Sequence, residues 1–229
     1  MGMYVKELWR YPVKSMRGEA LSEAEIALDG IVGDRLVRVE NARGLITART
    51  HPRLLGLRAS LGDDGVAMVE GDPWWDPRVD TLVKAAAGSQ AQLLRGDGPE
   101  RFDILPLLVA TDGAIAAFGN DGRRLRPNIV VGGVDGLEER EWEGLEMMIG
   151  SVSLSLESLR PRCVITTYDP DTLEQDIDVL RDIRRRFAGS LALDTAVLRP
   201  GLVRLGDAVR LIDRNERLPL RDVVDHEGH

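Results

Sequence analysis

The chain has one cysteine, Cys163, in the run Arg160-Pro161-Arg162-Cys163-Val164-Ile165-Thr166-Thr167-Tyr168-Asp169-Pro170-Asp171-Thr172. Arg162 stands beside it, and a neighbouring cation stabilises a thiolate. Thiolate is a soft ligand suited to transition metals. From the residues alone two readings stand: a metal-ligating sulfur, or a small buried hydrophobe beside the Val164-Ile165 pair. One cysteine among 229 residues excludes an internal disulfide and a four-cysteine iron–sulfur cluster held by this chain. The histidines are His51, His226 and His229, and neither CxxC nor HExxH occurs, so a zinc site is not indicated. If Cys163 holds a metal, the other ligands come from a cofactor.

Basic residues recur at turn-like positions. Lys14-Ser15 follows Tyr11-Pro12-Val13, Arg35 closes Gly33-Asp34-Arg35, and Arg126 opens Arg126-Pro127-Asn128 just before an apolar strand. Each alone reads as a surface charge. Together, beside prolines and at strand edges where fixed turns hold ligand-facing groups, they form an anion pocket. Thr111, at a predicted helix start, adds amide donors for a phosphate. Asp169 keeps two readings, a turn or N-cap carboxylate before a helix and a group behind the metal. No glycine-rich fingerprint follows a strand, so no dinucleotide site is indicated.

The elements that must position these residues are mostly strands. Residues 24–28 and 31–39 read as strands around Asp29-Gly30, residues 36–40 and 45–49 as a hairpin around 41–44, and 57–61 and 66–70 as strands around Asp64-Gly65. Residues 71–78, with Pro73, Trp74, Trp75 and Pro77, read as a loop. A helix is predicted from Asp112 to Phe118 with Thr111 as N-cap, then a strand at Ile129–Val131. Val152, Leu154 and Leu156 alternate with Ser153, Ser155 and Glu157, which predicts a strand with one wet face. Leu173, Ile177, Leu180, Ile183 and Phe187 predict a helix over 172–187, with Asp171 as N-cap, Glu174 completing a capping box and Gly189 stopping it. Strands at 202–204 and 208–212 surround Gly206-Asp207, and the residues after Asp213 read as a polar tail. The fold class is mainly β with some helix. The expected division is a β-rich domain over 1–100, a β-barrel domain over 101–214 and a tail over 215–229.

Composition sets limits. Lys and Arg total 30 against 38 Asp and Glu, for a net charge of −8. Such a chain is a poor partner for nucleic acid or an anionic membrane, although a local basic pocket remains possible. Neither a signal-peptide core near the start nor an apolar run of bilayer length is present, and the expected location is the cytoplasm.

In order along the chain, Tyr11-Pro-Val-Lys-Ser15, Gly33-Asp-Arg35, Arg126-Pro-Asn-Ile-Val130, Pro161-Arg-Cys163 through Thr167, Asp169-Pro-Asp-Thr172, and Pro200-Gly201 through Gly206-Asp207 resemble the MOSC family with its N-terminal companion domain. The resemblance runs from about Tyr4 to Asp213. It implies a MOSC-type β-barrel domain joined to a β-rich N-terminal domain. It further implies molybdenum carried on a pterin dithiolene (the molybdenum–molybdopterin cofactor), with Cys163 as protein ligand and catalytic residue. The cofactor would be held by residues matching Lys14, Ser15, Arg35, Thr111, Arg126, Asn128 and Arg162. The implied activity is reduction of N-hydroxylated compounds such as amidoximes, hydroxylamines and N-hydroxylated bases. Some relatives fuse a [2Fe–2S] domain after the barrel; this chain has no cysteines for one, so electrons are expected from a separate electron-transfer protein. The region Pro73–Pro99 matches the family poorly. Two other readings share these residues: a sulfur carrier with a persulfide on Cys163, and a structural barrel with an inert cysteine.

Overall fold

The computed structural model describes residues 2–96, 98 and 101–213; the expected tail at 215–229 lies outside them. The first part of the chain carries strands β1 (Tyr4–Arg10), β2 (Glu19–Leu21), β3 (Glu23–Ala27), β4 (Gly30–Ile31), β5 (Val37–Asn41), β6 (Gly44–Ile46), β7 (Ala59–Leu61), β8 (Ala67–Val69) and β9 (Asp72–Pro73). Helix α1 (Pro77–Ala87) and β10 (Gln92–Arg95) follow. The second part runs β11 (Leu107–Thr111), α2 (Asp112–Phe118), β12 (Ile129–Gly132), β13 (Glu146–Ile149), β14 (Val152–Pro161), α3 (Ile177–Arg186), β15 (Ser190–Arg199), β16 (Gly201–Arg204) and β17 (Val209–Ile212).

The largest sheet has eight strands in the order β17-β13-β14-β15-β11-β12-β1-β2. The β11–β12 pair is parallel, bridged by α2, and the other pairings are antiparallel. Strands β1 and β2 thus complete a sheet built mainly from the second part, and β3 pairs with β16. One apolar core fills this sheet, from Val5, Leu8 and Ile26 to Met147, Leu154, Leu156 and Leu193. A second packs α1 (Val79, Val83, Ala87) against Val37, Val39, Leu54 and Val69 of the first part. The chain is mostly β, as its alternating apolar pattern and turn residues imply.

Three local readings are corrected. Residues 71–78 are not all loop: Asp76 caps α1 by accepting from Arg78 N at 2.8 Å, with Pro77 in the first turn. The strand over 152–156 has no wet face: Ser153 and Ser155 are buried as fully as Val152, Leu154 and Leu156, and the Ser153 hydroxyl is satisfied by Glu146. The late helix begins at Ile177, with Asp176 as its cap at 2.9 Å from Asp178 N. Leu173, counted in the helical stripe, turns away with φ 61° and packs towards Gly56. Ile177, also counted in that stripe, is exposed; Ile183 and Phe187 remain and, with Val179, pack against Ala114, Phe118 and Leu125.

Gly18 has a specific reason. A Cβ there would lie 2.3 Å from the Arg10 carbonyl oxygen and 2.5 Å from a Tyr11 ring carbon. The bare backbone is what lets the Tyr11 ring seat, and Tyr11 is 3% exposed. None of the helices among the described residues is long and apolar enough to cross a membrane.

Gly18→Ala is therefore expected to destabilise the fold by about 1–3 kcal/mol, the cost of overpacking a seated ring. Urea unfolding of the variant measures it; an unchanged midpoint would show that Tyr11 is not pinned there.

Candidate functional site

Four stretches of backbone bring the site together. Lys14 and Ser15 sit on the loop after β1, which is tied down by Lys14 N donating to Val37 O at 2.8 Å. Arg35 stands on the turn before β5, with its amide donating to Tyr11 O at 2.8 Å. Arg126 follows a 3-10 turn at Gly122–Leu125, and Arg160 to Cys163 lie at the end of β14. Ser15, Arg35 and Arg126 have φ of 71°, 52° and 57°, three of the seven left-handed non-glycine residues among those described. Strained backbone of this kind persists where the surroundings over-determine it, and it clusters at ligand sites.

These residues line one open cleft with a cavity of about 150 Å³. Lys14, Ser15, Arg35, Arg126, Arg162 and Cys163, all singled out from the sequence, are on its walls. Arg49, Asp103 and Arg160 join them and were not singled out. A signal for Arg160 existed: it stands two residues before Arg162 in the same stretch, and a spacing of two in extended chain favours one face. Arg49 and Asp103 had no comparable signal, since a hairpin end and an interdomain connection bring them in from a distance.

The charge balance is lopsided. Six cations line the cleft, Lys14, Arg35, Arg49, Arg126, Arg160 and Arg162. Three carboxylates reach them. Asp103 lies 3.0 Å from Lys14 and 2.7 Å from Arg49, Asp34 pairs with Arg35, and Asp194 accepts from Arg160 Nε at 2.6 Å. Burial disfavours the Asp103 charge, but Lys14 and Arg49 outweigh it and hold the carboxyl below its usual range. Burial likewise opposes the Arg49 charge, and Asp103 together with a contact to the Cys163 sulfur raises that guanidinium's pKa.

Arg126 and Arg162 have no carboxylate partner among the described residues. Arg126 rests over the Tyr11 ring at 4.3 Å, and Arg35 lies 5.3 Å from the same ring. The Tyr11 hydroxyl donates to Pro127 O at 3.0 Å, and burial pushes its pKa up to about 12. Arg162 donates to Leu125 O at 2.7 Å, while its Nε is buried with no acceptor. Burial first, and then Arg160, lower the Arg162 pKa to about 10, which leaves it charged at neutral pH. Cys163 is half-buried at the head of a 3-10 turn, with its carbonyl accepting from Thr166 N at 3.1 Å and Thr166 Oγ1 at 2.8 Å.

Two expected ligand-binding residues lie elsewhere. Thr111 is fully buried and caps α2; its hydroxyl donates to Glu139 at 2.9 Å and accepts from Ala114 N at 3.1 Å. Its donors are used inside the fold, and α2 starts away from the cleft walls. Asn128 is also fully buried, bridging Trp9 O at 3.2 Å, Asp34 at 3.3 Å and Leu108 N at 3.1 Å. It braces Asp34, which braces Arg35, and so acts one step behind the cleft. Asp169 takes its turn reading: its carboxylate accepts from Asp171 N and Thr172 N at 3.0 Å each. Ser15 has a further part, because its hydroxyl accepts from Ala48 N at 3.0 Å and so fixes the backbone next to Arg49.

Comparison with known proteins agrees with this architecture. The human "Mitochondrial amidoxime reducing component 2" is 29% identical over 246 residues, covering 79% of this chain and 72% of that protein. The mouse "Mitochondrial amidoxime-reducing component 1" is 25% identical over 286 residues, covering 91% of this chain and 82% of that protein. The crystal structure of the YUAD protein from Bacillus subtilis aligns with a TM-score of 0.51 at 16% identity, over 92% of this chain and 96% of that one, a likeness of fold. Family profiles match the MOSC N-terminal beta barrel domain at residues 2–104 and the MOSC domain at residues 115–210. The chain therefore belongs to the MOSC family, with a MOSC N-terminal beta barrel domain followed by a MOSC domain.

Proposed function

We propose that this chain is a reductase of N-hydroxylated compounds (amidoximes, hydroxylamines and N-hydroxylated bases) that carries a molybdenum–molybdopterin cofactor and takes electrons from a separate protein. The observation that carries the reading is the chain's one cysteine standing in a cleft with six cations against three carboxylates. The donor set fits the cofactor. A pterin phosphate is dianionic, two cleft arginines have no carboxylate of their own, and the Arg162 Nε lacks an acceptor. The relatives named for amidoxime reduction support the substrate class.

In this reading the Cys163 sulfur is the protein ligand to the metal. Lys14, Arg35, Arg126 and Arg162 neutralise the phosphate, and Ser15 shares in that contact. Asn128 acts through Asp34 to hold Arg35 in place, and Thr111 serves the fold. When bound, the molybdenum–dithiolene group supplies the two-electron redox chemistry. The protein's share is position and charge: Arg49 sits against the sulfur, and Asp103 ties Arg49 to Lys14. Reduction takes two electrons and two protons, breaks the N–O bond and releases water. A protonated amidine product is repelled by the cationic walls, which favours its release. Within these residues no four-cysteine set exists for an iron–sulfur cluster, which supports an external donor. A free thiol as ligand also suits a reducing compartment such as the cytoplasm.

The direct test is metal analysis of protein made in a host that builds the pterin cofactor. Near-stoichiometric molybdenum is expected; none, beside a normally loaded control molybdoenzyme, rejects the reading. Cys163→Ala is expected to abolish amidoxime reduction with reduced methyl viologen, at a stability cost of about 1 kcal/mol. Full turnover in that variant excludes Cys163 as ligand. A molybdenum-free protein that carries a persulfide on Cys163 points instead to sulfur transfer.

Lys14→Ala and Arg126→Ala are each expected to lower cofactor occupancy, since one charge-assisted contact to a phosphate contributes about 1.5–3 kcal/mol. Occupancy is read as molybdenum per chain, alongside the melting temperature of cofactor-free protein. Equal loading in both variants and wild type would show that these cations do not hold the cofactor.

A further inference from the structure

Next to the cleft lies a second hollow, of about 60 Å³ and open on one side, which shares Arg126 and Ile165 with it. Its walls are aromatic and apolar, formed by Trp9, Tyr11, Leu55, Tyr168 and Pro170. Lys14, Asp103 and Cys163 do not reach it. Three of its four arginines are neutralised locally: Arg17 by Asp171 at 3.3 Å, Arg123 by Asp121 and Asp171 at 2.6 Å each, and Arg124 by Asp169 at 3.1 Å. The fourth, Arg126, has neither a carboxylate nor a hydrogen-bond acceptor for its guanidinium among the described residues, and rests on the Tyr11 ring at 4.3 Å. The Tyr168 hydroxyl also makes no hydrogen bond among the described residues.

These features select a ligand chemistry. Aromatic walls favour a flat apolar body, whose ring stacks or meets theirs edge to face. A cation largely withdrawn from water and lacking an acceptor favours an anionic oxygen. At about 60 Å³ the hollow encloses only part of one ring, the rest standing at its open mouth. We propose that this hollow binds a small aromatic carboxylate, its ring against Trp9, Tyr11 and Tyr168 and its carboxylate on Arg126. The site adjoins the cleft and shares Arg126 with it. Because Arg126 faces both cavities, a carboxylate in the hollow also draws that guanidinium from an anion in the cleft, and the two sites oppose one another.

The test uses the purified full chain and benzoate as the probe, with binding measured by calorimetry or ligand-observed NMR. One saturable site is expected for benzoate and none for benzylamine, which has the ring but the opposite charge. Tyr168→Ala removes one aromatic wall and is expected to weaken benzoate about fivefold. Leu55→Trp fills the hollow and is expected to weaken it by about tenfold or more. Leu55 is buried, so if that variant fails to fold, the half-buried Tyr168 position decides. In full-length protein made without the cofactor, Lys14→Ala and Cys163→Ser, which alter the cleft alone, are expected to leave benzoate affinity unchanged. Absence of saturable binding overturns the proposal. So does a loss of affinity in Lys14→Ala that matches or exceeds the loss in Tyr168→Ala, which would put benzoate in the cleft. Equal binding of benzylamine overturns it as well.

Discussion

Six positive side chains facing one cleft repel each other, and the rest of the site is arranged around that repulsion. Two unit charges about 6 Å apart, at an effective dielectric of about 20, repel by about 3 kcal/mol. The fold answers unevenly. Asp103 bridges two of the cations and Asp34 and Asp194 each hold one, while an aromatic face carries Arg126 and a backbone carbonyl carries Arg162. The electrostatic cost left over is what an incoming anion relieves. A site balanced to neutrality would be more comfortable when empty and weaker as a receptor.

Holding the cations in place is the work of parts that never touch the cleft interior. Asn128 spans β1, β11 and the turn that carries Asp34 with three hydrogen bonds, and Asp34 in turn accepts from the Tyr11 amide at 2.7 Å. Tyr11 then serves as a platform for Arg126 and Arg35. Gly18 makes room for that platform. A chain of buried polar contacts thus converts sheet geometry into the position of two guanidinium groups, and a fault anywhere along it reaches the anion site.

Much of this was legible in the residues. Alternation and turn pairs reveal the strands, and prolines beside Lys14, Arg126 and Cys163 mark the loops that meet. What one sequence hides is which polar group faces inward. Asn128 and Thr111 have the types of ligand-binding residues, yet the register of β12 and the cap of α2 consume their donors inside the fold. Arg49 and Asp103 are 54 positions apart and meet only because two separate connections converge. The late helix shows a related limit. Leu173 matches the helical spacing, but a tertiary contact at Gly56 wins it, and spacing carries no information about such a competitor.

The sheet also constrains how such a chain can change over generations. β1 and β2 belong to the first family segment, yet they lie beyond β12 at the margin of a sheet built mainly by the second. A recombinant inheriting residues 105–213 alone would present β12 as a bare edge, with backbone donors and acceptors open to any passing strand. The first segment alone would carry Val5 and Leu8 with no core to enter. Parting the two segments of this chain therefore invites aggregation before any loss of chemistry is felt.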